Sequence, residues 1–390
     1  MIGMKKYAAA LFTGTVLLLS AMPEKGPDHE CTSWMVFFDL TGNGTAVLHK
    51  NRDAKARNVT AMKSGPASPR KWIGLGNNDR LCMGMNAAGL AACMNSGEPC
   101  IDPPPAKGEM TTSVILQYLL EQCETASQAA KMLQNLHSQG RYAHWDRQGS
   151  IYFFTDPREG FICEMSGKFC SVQRYSSGYA FRANIWHNPG MAQRARSSHT
   201  RFLNNCGRES VVMEALNTAI DKKHRIELSD ILALSRQDQM PKDSPLKRSV
   251  CSQYTNSAST LVIHREYPDV LSTAYVLIGP PRHTLYLPIP ICVEKFDRRQ
   301  SETVWSDAAW NRFGALGLHA PIPAEWSAFE KESMARYEAA SAEALSLLRN
   351  GKKKQAVRML NQTASEIWGK ALEILHRTMK ELGTSVTIKK

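Results

Sequence analysis

The best-matched set of chemical parts in this sequence lies at Cys31, within Pro27-Asp28-His29-Glu30-Cys31-Thr32-Ser33-Trp34. A cut before Cys31 would leave one residue carrying both a thiol that attacks a carbonyl and a free α-amine that takes the thiol's proton. An α-amine titrates near ~8 and a cysteine near ~8.5, against ~10.4 for lysine, so the terminal amine is the base suited to neutral pH. Taken alone, Cys31 also reads as a structural or disulfide-bonded cysteine. Its company favours chemistry. Residues 34–39 and 46–51 read as strands joined by Thr41-Gly42-Asn43-Gly44, a hairpin turn composition. The second strand ends in Lys50-Asn51-Arg52-Asp53, which brings a carboxylate back beside the cysteine. Asp53 would accept a hydrogen bond from the amine and fix its direction; a surface carboxylate next to Arg52 is the plainer reading.

The elements that must hold these groups follow from the pattern of apolar residues. A short strand is expected at 56–62, and 64–70 is a Gly/Pro/Ser loop suited to a substrate mouth. Strands at 81–85 and 90–94 meet at the turn Asn86-Ala87-Ala88-Gly89, and the second delivers Asn95 to its end. An amide there can donate to an oxygen that becomes negative, where losing one donor costs ~2.7 to 4 kcal/mol. Asn95 precedes Ser96-Gly97, so a turn asparagine fits as well. Helices follow at 111–122 and 127–136, the first with Val114, Leu116, Leu119 and Leu120 on an apolar face, and Thr125 is suited to cap the second. Strands return at 150–155, 160–164, 169–174 and 179–183, helices run to about 235, and strands resume at 257–264, 270–278 and 284–287. Sheet, helices, sheet is the order of an α+β fold with helices covering one face of each of two stacked sheets. Beyond 324 the chain reads as a helical hairpin, 328–348 and 353–382, turned at Asn350-Gly351 and packed on the core or on a second copy of the chain.

Composition sets outer bounds. The chain has 390 residues and 43% hydrophobic content, that of an ordinary globular protein. Residues 1–22, with Lys5 and Lys6 before an apolar run from 7 to 19, read as an export signal too short for a comfortable membrane span; a membrane anchor is the alternative. A cut near Ala21 leaves 22–30 as a short polar leader. Ten cysteines in an exported chain suggest disulfides, with Cys93 and Cys100, and Cys163 and Cys170, as candidates. No Cys-x-x-Cys or His-x-x-x-His pattern marks zinc, and no metal or cofactor is expected. The formal charge of +12 is spread rather than clustered, apart from Lys352 to Lys354. Nucleic acid is therefore not an expected partner, while an acidic substrate or an anionic cell envelope stays open.

The Cys31-Thr32 start, the hairpin ending Asn51-Arg52-Asp53, and Gly84-Met85-Asn86-Ala87-Ala88-Gly89-Leu90 followed by Asn95 resemble the cysteine N-terminal nucleophile (Ntn) hydrolases. Choloylglycine hydrolase, penicillin V acylase and the isopenicillin N acyltransferase-like group are the relatives this order of motifs suggests. The similarity runs from Cys31 to the strands near residue 290. It implies a four-layer αββα sandwich over 31–300, with 301–390 as a C-terminal helical extension. It also implies that Cys31 removes residues 23–30 itself, by attack on the Glu30 carbonyl. In Arg182-Ala183-Asn184-Ile185-Trp186, Asn184 falls where the family places an asparagine facing the reacting carbonyl. In Ser197-Ser198-His199-Thr200-Arg201-Phe202, Arg201 falls where the family's arginine lines the active site.

One departure stands out. Choloylglycine hydrolases carry an arginine three residues before the aspartate, where this chain has Lys50, with Arg52 next to Asp53. Lysine supplies the charge without the planar fork of donors, so Lys50 and Arg52 become candidate substrate-binding residues. The expectation is a secreted or periplasmic amidohydrolase acting on a small-molecule linear or N-acyl amide, with no membrane span once the signal is removed. An acyltransferase, a related cysteine dipeptidase, and an envelope binding protein on the same fold are the alternatives.

Overall fold

The computed structural model describes residues 29–383 except 43, 79, 241–243, 245, 247, 297–299 and 301–302. The expected export signal and residues 23–28 of the leader lie outside the described residues. Two antiparallel sheets carry the site. Their strands are β1 His29–Val36, β2 Thr45–Ala54, β3 Thr60–Lys63, β4 Trp72–Asn77, β5 Arg80–Asn86, β6 Ala91–Ser96, β7 Met110–Thr111 and β8 Tyr142–Ala143, then β9 Ser150–Thr155, β10 Gly160–Met165, β11 Cys170–Tyr175, β12 Tyr179–Arg182, β13 Thr255–His264, β14 Thr273–Ile278 and β15 Leu287–Pro290. The first sheet runs β12-β1-β2-β13-β14-β15 and the second β11-β10-β9-β6-β5-β4-β3, while β7 and β8 form a small pair of their own.

Alternation along the strands decides the layers, since successive side chains face opposite ways. In β1, Met35 enters the space between the sheets with Leu48 of β2, against Met83 and Phe153 of the second sheet. Trp34 and Val36 face outward with Val47. Helices α1 Thr112–Gln122 and α2 Ala126–Ser138 cover the outer face of the second sheet, packing Leu116, Leu120 and Leu133 on Phe154 and Cys163. Helices α3 His199–Lys223 and α4 Leu228–Leu234 cover the first, packing Val212, Leu216 and Ile231 on Trp34 and Val47. The result is the αββα sandwich expected from the resemblance. Thr125 caps α2, its side chain accepting from Gln128 N. Below α3 and α4, Trp34 stacks on His49 with ring centroids 4.0 Å apart. Burial pushes the His49 imidazole down to about 3, so it is neutral and serves Thr260 and Asn51 as a hydrogen-bonding partner.

The helical C-terminal region is present as α5 Val304–Leu316, α6 Ala324–Arg349 and α7 Lys353–Glu381. Trp326, Tyr337 and Trp368 from these helices join the apolar cluster that lies between the sheets. Of the two places open to the helical hairpin, the structure shows the core. No helix among the described residues is long and apolar enough to cross a membrane.

Several elements differ from the sequence reading. The first hairpin is longer at its open end, because β1 starts at His29, and its connection contains a helical turn, Phe38–Thr41, closed by Gly42 at φ +71°. Strand β4 was not expected, since Gly74 and Gly76 thin its pattern; both sit where strands crowd, and a Cβ at Gly74 would lie 2.2 Å from Met83 O. The expected strand 270–278 begins as a helical turn, Pro268–Leu271, which the proline opens. The strand expected at 284–287 lies at Leu287–Pro290, after a turn at Pro281–His283, and α5 was not anticipated. All ten cysteines are free. The pairs Cys93 with Cys100 and Cys163 with Cys170 are therefore unbonded: Cys93 packs between the sheets and Cys163 under α1 and α2.

Candidate active site

Cys31 lies in β1, 5% exposed, opposite Arg52 in the register with β2. The chain described is uncleaved, with Glu30 continuing the strand and paired to Asp53. Three elements converge on this point. From the end of β12, Asn184 Oδ1 accepts from the Cys31 N–H at 2.8 Å, and Asn184 Nδ2 donates to Ser96 O at 2.5 Å. From α3, Arg208 donates through Nη1 to Cys31 O at 2.7 Å and to Thr32 Oγ1 at 3.2 Å, and through Nη2 to Asn184 Oδ1 at 3.0 Å and to Asn205. From β6, Asn95 Oδ1 accepts from Ser33 Oγ at 2.8 Å.

Helical spacing explains what α3 contributes. Ser198 caps it by accepting from Arg201 N at 3.2 Å. Arg201, Asn205, Arg208 and Glu209 then fall at i, i+4, i+7 and i+8, one face of a helix. Asn205 Oδ1 accepts from Asn184 N at 3.0 Å and Glu209 Oε1 from Ala183 N at 2.8 Å. Through these bonds the helix grips the strand end that holds the nitrogen of Cys31.

The remaining sequence candidates take different places. Asn95 is a bolt between the sheets: Lys50 Nζ donates to its Oδ1 at 2.9 Å and to Met94 O at 2.6 Å, while its Nδ2 donates to the carbonyls of Arg182 at 3.2 Å and Ala183 at 3.1 Å. Its amide is thus committed to backbone rather than presented to the thiol. Lys50 is 2% exposed and serves the same inter-sheet contact. Arg52 donates to Asn77 Oδ1 at 2.8 Å and Asn256 Oδ1 at 3.4 Å, on the Cys31 face of β2. The Asp53 carboxylate accepts from Arg248 Nη2 at 2.6 Å, Thr255 Oγ1 at 2.6 Å and Ser252 Oγ at 3.3 Å, one register position from Cys31. Arg201 donates through Nη2 to Gly97 O and to Gln148 Oε1, each at 3.2 Å.

The strongest electrostatic feature was not anticipated. Glu30, 1% exposed, places its carboxylate among Arg248, which donates to Oε2, Arg208 at 3.3 Å and Arg201 at 4.0 Å. Burial alone would raise this carboxyl; Arg208, Arg248 and Arg201 overcome that and hold it below the usual carboxylate range. Arg208 was missed, and the one signal for it is its place two helical turns beyond Arg201 on the same face. Arg248 had no such signal, because it enters from a loop remote in sequence.

Residues 40–227 match the family model described as Acyl-coenzyme A:6-aminopenicillanic acid acyl-transferase. Conjugated bile acid hydrolase from Clostridium perfringens superposes with a TM-score of 0.45 at 12% identity, over 68% of this chain and 94% of that one. Penicillin V acylase from Agrobacterium tumefaciens gives 0.39 at 16% identity, over 67% and 86%. The Caenorhabditis elegans ortholog of N-acylethanolamine-hydrolyzing acid amidase gives 0.36 at 11%, over 62% and 94%. No curated protein matches. Over residues 40–227, then, the chain is similar to the acyl-transferase family.

Proposed function

We propose that the chain is an exported, self-processing cysteine amidohydrolase that cleaves a linear N-acyl amide through a thioester. The observation that carries this reading is the grip on Cys31: its nitrogen is held by Asn184 at 2.8 Å and its carbonyl by Arg208 at 2.7 Å. Both partners are side chains, placed where the pairing of β1 with β12, which starts at Ser33 and Arg182, no longer reaches. In the first turnover, the Cys31 sulfur attacks the Glu30 carbonyl, a C–S bond forms, the Glu30–Cys31 C–N bond breaks, and the thiol proton passes to the nitrogen. Water then adds hydroxyl to the thioester carbon and returns a proton to sulfur, releasing a leader that ends in Glu30.

The freed α-amine then serves as base for later substrates and as acid to their leaving amine. Asn184 orients that amine, a role the geometry supports better than donation to the oxyanion, since its Nδ2 is bonded to Ser96 O. Asp53 flanks the vacated Glu30 position. Export rests on the composition of residues 1–22, and the free thiols lend it no support. Cys31→Ala should retain the leader and lose turnover, read by intact mass and amidase assay; a variant that matures normally would end this reading. The acyl-transferase model match favours a second outcome, in which an amine opens the same thioester. Adding an amine acceptor should then divert product from acid to new amide, with the split read by mass spectrometry.

A further inference from the structure

The residue that acylates Cys31 first is a glutamate whose carboxylate is buried among three arginines, and the leader takes that carboxylate away when it leaves. We propose that the vacated cradle of Arg201, Arg208 and Arg248 selects substrates whose acyl group carries a carboxylate three carbons from the scissile carbonyl, the spacing of a glutaryl group. The inference rests on self-processing at Glu30–Cys31 and adds to it the acyl specificity of the mature site.

The leader and a later substrate are both acyl groups that bond through their carbonyl carbon to the same sulfur. What lies beyond that carbonyl on Glu30 is Cα, Cβ, Cγ and then a carboxylate, and this chain ends at Arg248, at Arg208 3.3 Å away and at Arg201 4.0 Å away. Asp53 remains to balance Arg248, with Nη2 to Oδ2 at 2.6 Å. Arg208 and Arg201 lose their nearest carboxylate when Glu30 departs, and a guanidinium as deeply buried as that of Arg208 is costly to leave without one. The cradle also holds unused donors: the buried Nε atoms of Arg201, Arg208 and Arg248 have no hydrogen-bond acceptor among the described residues. Arg208 is sealed, whereas the Arg248 and Arg201 side chains are 10% and 16% exposed, so the cradle is reached from the Arg201 side. The formal charge of +12 would draw an anion toward it.

The closing experiment separates the two ideas. Intact mass first establishes whether the purified chain begins at Cys31; a fully retained leader overturns self-processing, and this inference with it. On material that begins at Cys31, kcat/KM is compared for glutaryl-p-nitroanilide and butyryl-p-nitroanilide, which differ by the carboxylate. The expected preference for glutaryl is about tenfold or more, the size of one hydrogen bond to a charged group. Arg248→Gln should shrink that ratio. Equal kcat/KM values for the wild-type chain overturn the cradle while leaving self-processing intact. Should neither anilide turn over, melting temperatures with glutarate and with butyrate decide: a rise with glutarate alone supports the cradle, and no difference overturns it.

Discussion

Glu98 makes the residue scale testable by pH. It lies 4% exposed beside the site, accepting from Trp186 N at 3.1 Å and adjoining Gly97, whose carbonyl holds Arg201. Burial pushes its carboxyl up to about 7, with Trp186 N–H, the Ser197 hydroxyl and Arg201 opposing only part of that rise. Because the folded value lies above the unfolded one, the associated stability is fully present below about pH 4.5 and is lost as pH rises through about 7. Glu98→Gln removes the titration. Between about pH 5 and pH 9 the melting temperature of the variant should therefore gain on that of the wild-type chain, as read by scanning calorimetry. Parallel curves would show that Glu98 does not titrate there. Residues of this kind were hard to read in advance. Cys31 and Asn184 were legible because their types match a chemical task and a motif order, and the structure brings them to hydrogen-bonding distance. Asn95 fits the same motif, yet its surroundings give its amide to two carbonyls. Glu30 read only as part of a leader; the arginines around it come from 201, 208 and 248, and folding alone joins them.

At the scale of elements, strong local periodicity and turn chemistry were readable, and weak strands were not. The capped helix α2 and strand β9 appear where their patterns place them, because Thr125 and the apolar run of β9 state their roles locally. Strand β4, Trp-Ile-Gly-Leu-Gly-Asn, hides behind two glycines. The glycines are there for the neighbouring strand: Gly74 lies against Met83 O and Gly84 Cα, so an added Cβ must displace backbone. Overpacking of this sort costs about 1–3 kcal/mol. Gly74→Ala should lower unfolding free energy by that amount in urea titration, whereas Gly65→Ala, with open space around the new methyl, should leave it nearly unchanged. Equal stability for the two variants would mean that β4 and β5 are farther apart than described. The distinction matters for the site, since β5 pairs with β6 and β6 carries Asn95.

The whole molecule depends on helices that the sequence presents as an appendage. The segment 324–382 is rich in charged residues, which invites the reading of a separable hairpin, yet much of its larger apolar share is buried. Trp368 is fully enclosed, packs edge-on against Trp305 at 5.4 Å, and donates from Nε1 to Pro288 O at 2.8 Å, in the strand that ends the first sheet. Glu330 of α6 makes two bonds of 2.7 Å to Arg236, just beyond α4, and accepts from Tyr286 N at 2.7 Å. A chain ending at 323 would uncover the apolar face of β14 and β15 and remove the carboxylate that Arg236 pairs with. Total stability of a domain is about 5–15 kcal/mol, so that truncation should abolish cooperative unfolding rather than lower its midpoint. Trp368→Ala is the milder version, expected to cost about 3–5 kcal/mol while leaving a folded chain. A truncated protein that melts cooperatively as a monomer would show the helices to be dispensable. Loss of folding would place them inside the unit that holds β1, and with it Cys31, in register.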